Sequence, residues 1–298
     1  MRRLLGLVVL LSVSCVREQP PGEEVIVNLC SPGLPSRASD PDELLITDYN
    51  LYIYNQFGFL EKRLYVPARE MGEKTPSCTV RLLKDAPYIV LAAANMGYEL
   101  WFDSMQQAFA YRYYMAYPDE FSRGMPMAAC MTDAVAGDDL RIDVPLQRLM
   151  SRVDLSIDRR GLNQDVSIRI NSVQVGNAAS SAMLFSDSRV ENWSQIFTEG
   201  YEKSGEQVYW LNHDLVSGVS GEVPFYLLEN RPGSIAPSYI ELKADYHSAT
   251  FHTAPDKSLI YRFYITDDKD AKRNSRYPVV LRLKGSGLEC EDGWSVSY

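Results

Sequence analysis

Histidine and closely spaced cysteine are what this chain has least of. Three histidines occur in 298 residues, and although His247 and His252 stand five apart, neither they nor His213 form an H-E-x-x-H or zinc-type spacing. After Cys15, four cysteines remain at Cys30, Cys78, Cys130 and Cys290, none within three residues of another, so a C-x-x-C redox or metal motif is excluded. An exported chain could pair them, but a chain with cores of real size does not need such staples. They read as isolated small buried residues, and their pairing stays open. A G-x-S-x-G elbow, a P-loop and a dinucleotide fingerprint are all missing. Nucleophilic and nucleotide chemistry therefore have no foothold, and no cofactor is implied. The run Asp267-Asp268-Lys269-Asp270 lacks the D-x-[DN]-x-[DN]-G order of a calcium loop and is followed by Lys272 and Arg273, so it reads as a solvated turn. Of 39 carboxylates, no spacing singles out a pair for glycoside cleavage.

Positive charge is also in deficit, with 30 Lys and Arg against 39 Asp and Glu and a net charge of -9. Such a chain repels phosphate backbones, and with no basic patch interleaved with aromatics, nucleic acid is discarded as a partner. Long apolar runs are scarce too. The one from Leu4 to Val13 is about half of the roughly 20 residues a helix needs to cross a bilayer. Arg2 and Arg3 precede it and Ser14-Cys15 ends it, the pattern of a secretion signal. It resembles a bacterial lipoprotein signal with Ser12-Val13-Ser14-Cys15 as the cleavage box, although Leu11 sits one place early and Ser12 stands where leucine is expected. The expectation is cleavage before Cys15, lipid on Cys15 and attachment to the cell outer membrane; the plainer alternative is an ordinary signal with an incidental cysteine. Loss of Arg2 and Arg3 moves the formal charge from -9 to -11.

What is present points to strands. Apolar residues make up 46% of the chain, and 19 tyrosines against 10 phenylalanines suit half-buried strand faces. A mature length of about 280 residues suits two domains of roughly 140 each. Val16 to Glu24 is a polar tether, after which Val25, Val27 and Leu29 fall on one face of a short strand. Ser31 to Pro41 is a soft linker with Arg37 and Ala38 at its middle. A strand set off by such a linker could leave its sheet once the linker is cut, opening a groove of unpaired backbone groups.

From there the pattern predicts a hairpin of Leu51–Tyr54 and Leu60–Val66 around Asn55-Gln56-Phe57-Gly58, and a buried strand over Tyr88–Asn95. Glu99 to Tyr114 holds no Gly or Pro, and the spacing of Trp101, Met105, Ala108 and Phe109 predicts one helix. Met125-Pro126-Met127 is extended, and Gly137-Asp138-Asp139 is a turn. Ile142, Val144 and Leu146 alternate with polar residues, as do Val153, Leu155 and Ile157. A domain boundary is expected between them, near Pro145 to Ser151. Val166, Ile168 and Ile170 continue the alternation until a phase slip at Asn171-Ser172 predicts a bulge. Gly176 to Gly221 is weakly patterned and stays unassigned. Phe225–Leu228, Ile240–Ala244, Ile260–Ile265 and Val279–Leu283 read as further strands, at a spacing that suits a sandwich.

Several stretches then resemble the fimbrial subunit and anchor proteins of Bacteroidales, which build the type V pilus. In the first half they are Leu51 to Leu60, Leu91-Ala92-Ala93-Ala94-Asn95-Met96-Gly97, Met125-Pro126-Met127 and Val144 to Val153. In the second they are Phe225-Tyr226-Leu227-Leu228-Glu229-Asn230-Arg231-Pro232-Gly233, Tyr261-Arg262-Phe263-Tyr264 and Arg273-Asn274-Ser275-Arg276-Tyr277. The resemblance implies a mostly β fold of two transthyretin-like β-sandwich domains with one short helix in the first. The partition it implies is residues 1–14 as lipoprotein signal peptide, 15–41 as lipidated tether, groove strand and linker, 42–147 as the N-terminal domain and 148–298 as the C-terminal domain. In that family an arginine-specific protease removes the first strand of polymerising subunits and a neighbour's strand replaces it, whereas anchor members keep theirs. Val25, Val27 and Leu29 would be the groove strand, and Arg37 before Ala38 the cut, with an uncut linker arginine as the other reading.

The expected function is a non-enzymatic component of cell-surface fimbriae, an anchor or a minor or tip subunit, that assembles by strand exchange and supports adhesion. Its expected partners are other fimbrial subunits, the outer membrane through the lipid, and a host surface ligand. The rival is a lipid-anchored surface glycan- or ligand-binding module. That reading would place Trp101, Trp193, Trp210 and Trp294 exposed on one face, where a sandwich tryptophan is ordinarily a buried anchor. A third, an extracytoplasmic hydrolase, would need a cleft with perturbed carboxylates.

Overall fold

The computed structural model describes residues 22–31, 41–71, 76–117, 124–203, 223–249, 257–288 and 292–298. Cys15, Arg37, Ala38, Trp210, His213, His252 and Cys290 lie outside the described residues. The first half of the chain carries strands β1 (Glu23–Cys30), β2 (Tyr49–Asn55), β3 (Leu60–Val66), β4 (Ser77–Leu82), β5 (Pro87–Ala94), β6 (Arg112–Tyr114), β7 (Met127–Val135), β8 (Arg141–Pro145) and β9 (Gln147–Arg148). In the second half come β10 (Met150–Leu162), β11 (Val166–Gly176), β12 (Ala178–Ala179), β13 (Ser181–Met183), β14 (Ile196–Phe197) and β15 (Tyr201–Lys203), then β16 (Val223–Leu228), β17 (Tyr239–Ser248), β18 (Lys257–Tyr264), β19 (Arg276–Gly285) and β20 (Trp294–Ser297).

The first half pairs a three-stranded sheet, β4-β1-β8, with a five-stranded one, β3-β2-β5-β7-β9. Their facing residues form one core, in which Val25, Val27, Val80 and Val144 meet Leu51, Ile53, Val90 and Met127. The second half pairs β16-β10-β19-β20 with β15-β11-β17-β18 around Val153, Leu155, Ile168, Val173, Leu242 and Leu281. The bulge expected at Asn171 is there, as a register shift between Ile170 and Ser172 against β17.

A third core joins the halves. Tyr52, Tyr54, Leu91, Ala93 and Ala128 point away from the first core and pack with Leu149, Met150, Leu184, Phe185 and Leu228. The β2 and β5 strands are thus buried on both faces, which is why they read as nearly unbroken apolar runs. Phe102 centres the packing, its ring 5.1 Å from Tyr52, 5.3 Å from Tyr111 and 6.3 Å from Phe185. The short strands β12, β13 and β14 belong to this cover, with β13 paired to β6 across the halves. That region carries no long period, because each piece is only two or three residues long.

The helix expected over Glu99–Tyr114 is corrected to a short one, α2, at Met105–Ala110, preceded by α1 at Ala68–Met71. Ser104 caps α2, accepting from the Gln107 N–H at 3.2 Å, and the chain then turns extended because Arg112–Tyr114 is claimed by β13. Trp101 stands outside the helix and 60% exposed, with the Arg63 guanidinium over its ring. Asp270 is also corrected: it is buried rather than solvated, within 3.8 Å of Arg231 and 3.5 Å of Lys272.

Motif residues of the resemblance hold loops in place. Asn95 adopts φ +62° at the end of β5. Its side chain accepts from Thr47 N–H at 2.8 Å and donates to the carbonyls of Leu45 and Met125 at 2.7 and 2.6 Å. Glu229, fully buried, receives Arg273 Nε at 2.8 Å and Ser188 N–H at 2.9 Å. Arg273 further donates to the carbonyls of Met183, Leu184 and Ser186. Two motifs forty residues apart in sequence are therefore one buried ion pair with its hydrogen bonds complete. Arg273→Ala strands the Glu229 charge and is expected to cost about 3–5 kcal/mol in denaturant unfolding. The double variant Glu229→Leu with Arg273→Met is expected to recover part of that loss, because no lone buried charge remains.

Candidate functional site

The first strand is the site that composition and linker single out. Alternation in Glu23–Cys30 puts Val25, Val27 and Leu29 at 0, 0 and 2% exposure, while Ile26 between them is 40% exposed. Burying three such side chains contributes about 1.5–3 kcal/mol each. The strand lies in the middle of its sheet, antiparallel to β4 with Val27 opposite Cys78, and parallel to β8 with Val27 opposite Ile142. Outside the ladder, Ile26 N–H donates to Leu140 at 2.9 Å, Leu29 N–H to Pro76 at 2.8 Å, and Leu146 N–H to the Cys30 carbonyl at 2.9 Å. Both neighbours depend on β1 for pairing. The β4 strand went unread in the sequence although Val80 and Leu82 alternate with polar residues there, because the run is short and carries Cys78 and Arg81.

Pro41–Leu44 forms a 3-10 turn that carries Glu43 into the interior, where it is 1% exposed. Its Oε1 accepts from Arg152 Nη1 at 2.5 Å and from the Tyr226 hydroxyl at 2.7 Å, while its carbonyl accepts from Arg148 Nη1 at 3.1 Å. Arg152 continues to Asp154 at 2.7 Å, which also receives Arg276. Burial works against the charge on Arg152, but its hydrogen bonds to Asp154 and Glu43 outweigh burial and raise its pKa; on Arg148 burial dominates and lowers it. Nothing in the sequence marks Glu43. Arg148, Arg152, Tyr226 and Arg276 were visible only as members of the recurring stretches. Across the linker, the Ser31 hydroxyl donates to the Leu44 carbonyl at 2.9 Å, so the two ends of the linker are held together.

Other candidates fall differently. Cys30 and Cys130 are exposed and Cys78 half-buried, all as free thiols, which corrects the expectation of buried residues. Burial pushes the Cys78 thiol up, away from the reactive thiolate. Trp193 is 62% exposed like Trp101, contrary to the buried fate expected of both, while Trp294 packs edge-on against Tyr261 at 5.6 Å. His247 is an exposed residue of β17. Among the described residues, no group of three or more His, Cys, Asp or Glu side chains could hold a metal ion. Asp158 is held down to about 2 by hydrogen bonding to Arg160, and Asp138 and Asp268 are lowered by Lys84 and Thr266. A glycosidase-type acid needs the opposite shift. No helix of the described residues is long and apolar enough to cross a membrane.

No family model matches the chain, and no curated protein matches it in sequence. Solved structures do match in fold. A fimbrilin from Porphyromonas gingivalis superposes with TM-score 0.62 at 15% identity, over 92% of this chain and 95% of its own. A fimbrial assembly protein from Parabacteroides distasonis gives 0.51 at 12%, over 93% and 95%. The tip fimbrial protein Mfa3 of Porphyromonas gingivalis, truncated at its C-terminus, gives 0.53 at 12%, over 93% and 98%. The chain shares its mostly β fold with these Bacteroidales fimbrial proteins along nearly its whole length.

Val27→Asp places an unpaired charge in the first core and is expected to cost about 3 kcal/mol or more by denaturant unfolding. Ile26→Asp on the same strand is expected to stay within about 0.5 kcal/mol of the parent.

Proposed function

We propose that this chain is a non-enzymatic component of cell-surface fimbriae, an anchor or a minor or tip subunit held in the outer membrane by lipid on Cys15, which joins other subunits by β-strand exchange. One observation carries the reading: β1 occupies the middle of the β4-β1-β8 sheet, yet it is an eight-residue piece joined to the rest through a separate linker. A middle strand is ordinarily the last to be dispensable. Here its withdrawal would leave two unpaired edges and three emptied pockets, a site that only another strand of like pattern can fill. The main-chain bonds such a strand restores are worth about 0.5–1.5 kcal/mol each, beside the apolar burial. Glu43 supports the same reading from the other side of the linker. Its bonds to Arg152 and Tyr226 would keep the chain from Pro41 onward in place whether or not Arg37–Ala38 is cut.

The anchor role is favoured over a shaft role by the order of parts: a lipid-bearing Cys15, a polar tether, then a strand already seated in its own groove. The mature protein isolated from the cell surface is expected to begin at an acylated Cys15 with Val25 to Leu29 attached, as read by mass spectrometry of its terminal peptide. A start at Ala38 would instead make it a subunit that polymerises, and a non-acylated start would remove the membrane anchor.

A further inference from the structure

A second site lies where the two halves meet, away from β1. A cavity of about 510 Å³ is lined by Arg112 of β6, Arg189 and Arg231, by Met183 and Pro232, and by the exposed Asp187 and Glu191 at its rim. Its frame is rigid. Ser188 N–H is bound to Glu229 and the Ser188 carbonyl to Arg231 N–H at 2.9 Å. Val190 N–H is bound to the Asn230 side chain at 3.2 Å, and its carbonyl to Ile235 N–H at 3.1 Å.

Within that frame the charges are under-used. Arg112 and Arg189 stand 3.9 and 3.6 Å from Glu191, and Arg231 stands 3.8 Å from Asp187. These separations exceed the roughly 2.7–2.9 Å of a charge-assisted hydrogen bond. The other contacts of Arg112, to the Ser181 hydroxyl and the Arg189 carbonyl, are both 3.4 Å. By contrast, Arg273 reaches Glu229 at 2.8 Å and Arg152 reaches Glu43 at 2.5 Å in the structural pairs. Ser188 lines the cavity as well, with its hydroxyl turned into the protein, where it is buried. Guanidinium groups without a close carboxylate partner, set around a hydrogen-bonded frame, offer an anion a place to bind.

We propose that this cavity binds a carboxylate-bearing sugar ring of the uronic or sialic acid kind. Its carboxylate would be forked by Arg112 and Arg189, and its hydroxyls would donate to Asp187 and Glu191. The planar guanidinium selects a carboxylate or a phosphate. Two rim carboxylates and a protein of net charge -9 repel a dianionic phosphate more strongly than a singly charged carboxylate, and so favour the carboxylate. Acidic acceptors beside the arginines have no use for a bare anion but match ring hydroxyls, and Met183 with Pro232 offers the C–H face of the ring an apolar surface. The volume lies in the range of about 300–1,000 Å³ for small-molecule sites.

Isothermal titration of the full chain in detergent tests this, with methyl glucuronide and the methyl glycoside of N-acetylneuraminic acid as probes. Methyl glucoside, glucose 6-phosphate and N-acetylglutamate serve as the neutral, phosphate and non-sugar comparisons. One or both acidic sugars are expected to bind at about 1 mM or tighter, and the three comparisons at least about tenfold more weakly. Arg189→Ala, at an exposed side chain whose loss leaves the thermal midpoint in place, is expected to weaken binding about tenfold, with Arg189→Lys failing to restore it. The proposal is overturned by any of three results: silence of both acidic sugars up to about 10 mM, equal binding of any comparison compound, or acidic-sugar binding unchanged in Arg189→Ala.

Discussion

Backbone amides and carbonyls of β4 and β8 face a gap one strand wide, and the structure depends on what fills it. Neither strand pairs with the other, and each finds its partner in β1. The same eight residues also close the first core, since Val25, Val27 and Leu29 meet the inner face of the five-stranded sheet. Buried backbone groups must be paired, so the gap cannot stand empty in water without cost. Everything else in the first half can form around that requirement, because β2, β5 and β7 obtain their pairing elsewhere.

Much of this was legible before the coordinates. Period-two alternation located the buried face of β1, the long strands of the second half and the bulge at Asn171, and the Asn55–Gly58 turn located the β2–β3 hairpin, because each depends on neighbours within a few residues. The missing part is non-local. Trp101, Met105, Ala108 and Phe109 carry a helical spacing, yet the helix stops at Ala110 because Arg112–Tyr114 pairs with Ser181–Met183, some seventy residues away. Residues 178–197 cover a core that they share with the first half in pieces too short to show a period. For the candidate site, Val25, Val27 and Leu29 were readable, whereas the strands that receive them were half read and the anchor at Glu43 was not read at all.

The polar residues explain why the recurring stretches look as they do. Asn95, Glu229, Asn230, Arg273 and Arg276 would be unremarkable surface residues by type, but all except the two arginines are nearly inaccessible, and the arginines are spent on buried partners. Arg276 binds the buried Asp154 carboxylate, and the other four close sets of backbone groups where a strand ends and a loop must cross the interior. Losing one leaves several groups unpaired together, so a substitution there costs more than one at an ordinary surface residue.

The strand pairing of β1 has a directional meaning. It runs antiparallel to β4 and parallel to β8, two ladders whose hydrogen bonds differ in spacing and slant, so an incoming strand fits in one orientation only. Copies linked through such a slot would be joined head to tail, a heterologous contact that repeats without closing and gives a filament two unlike ends. A molecule whose slot is already occupied by its own residues cannot accept the next copy. Under the proposed exchange such a molecule would end a filament and not extend it.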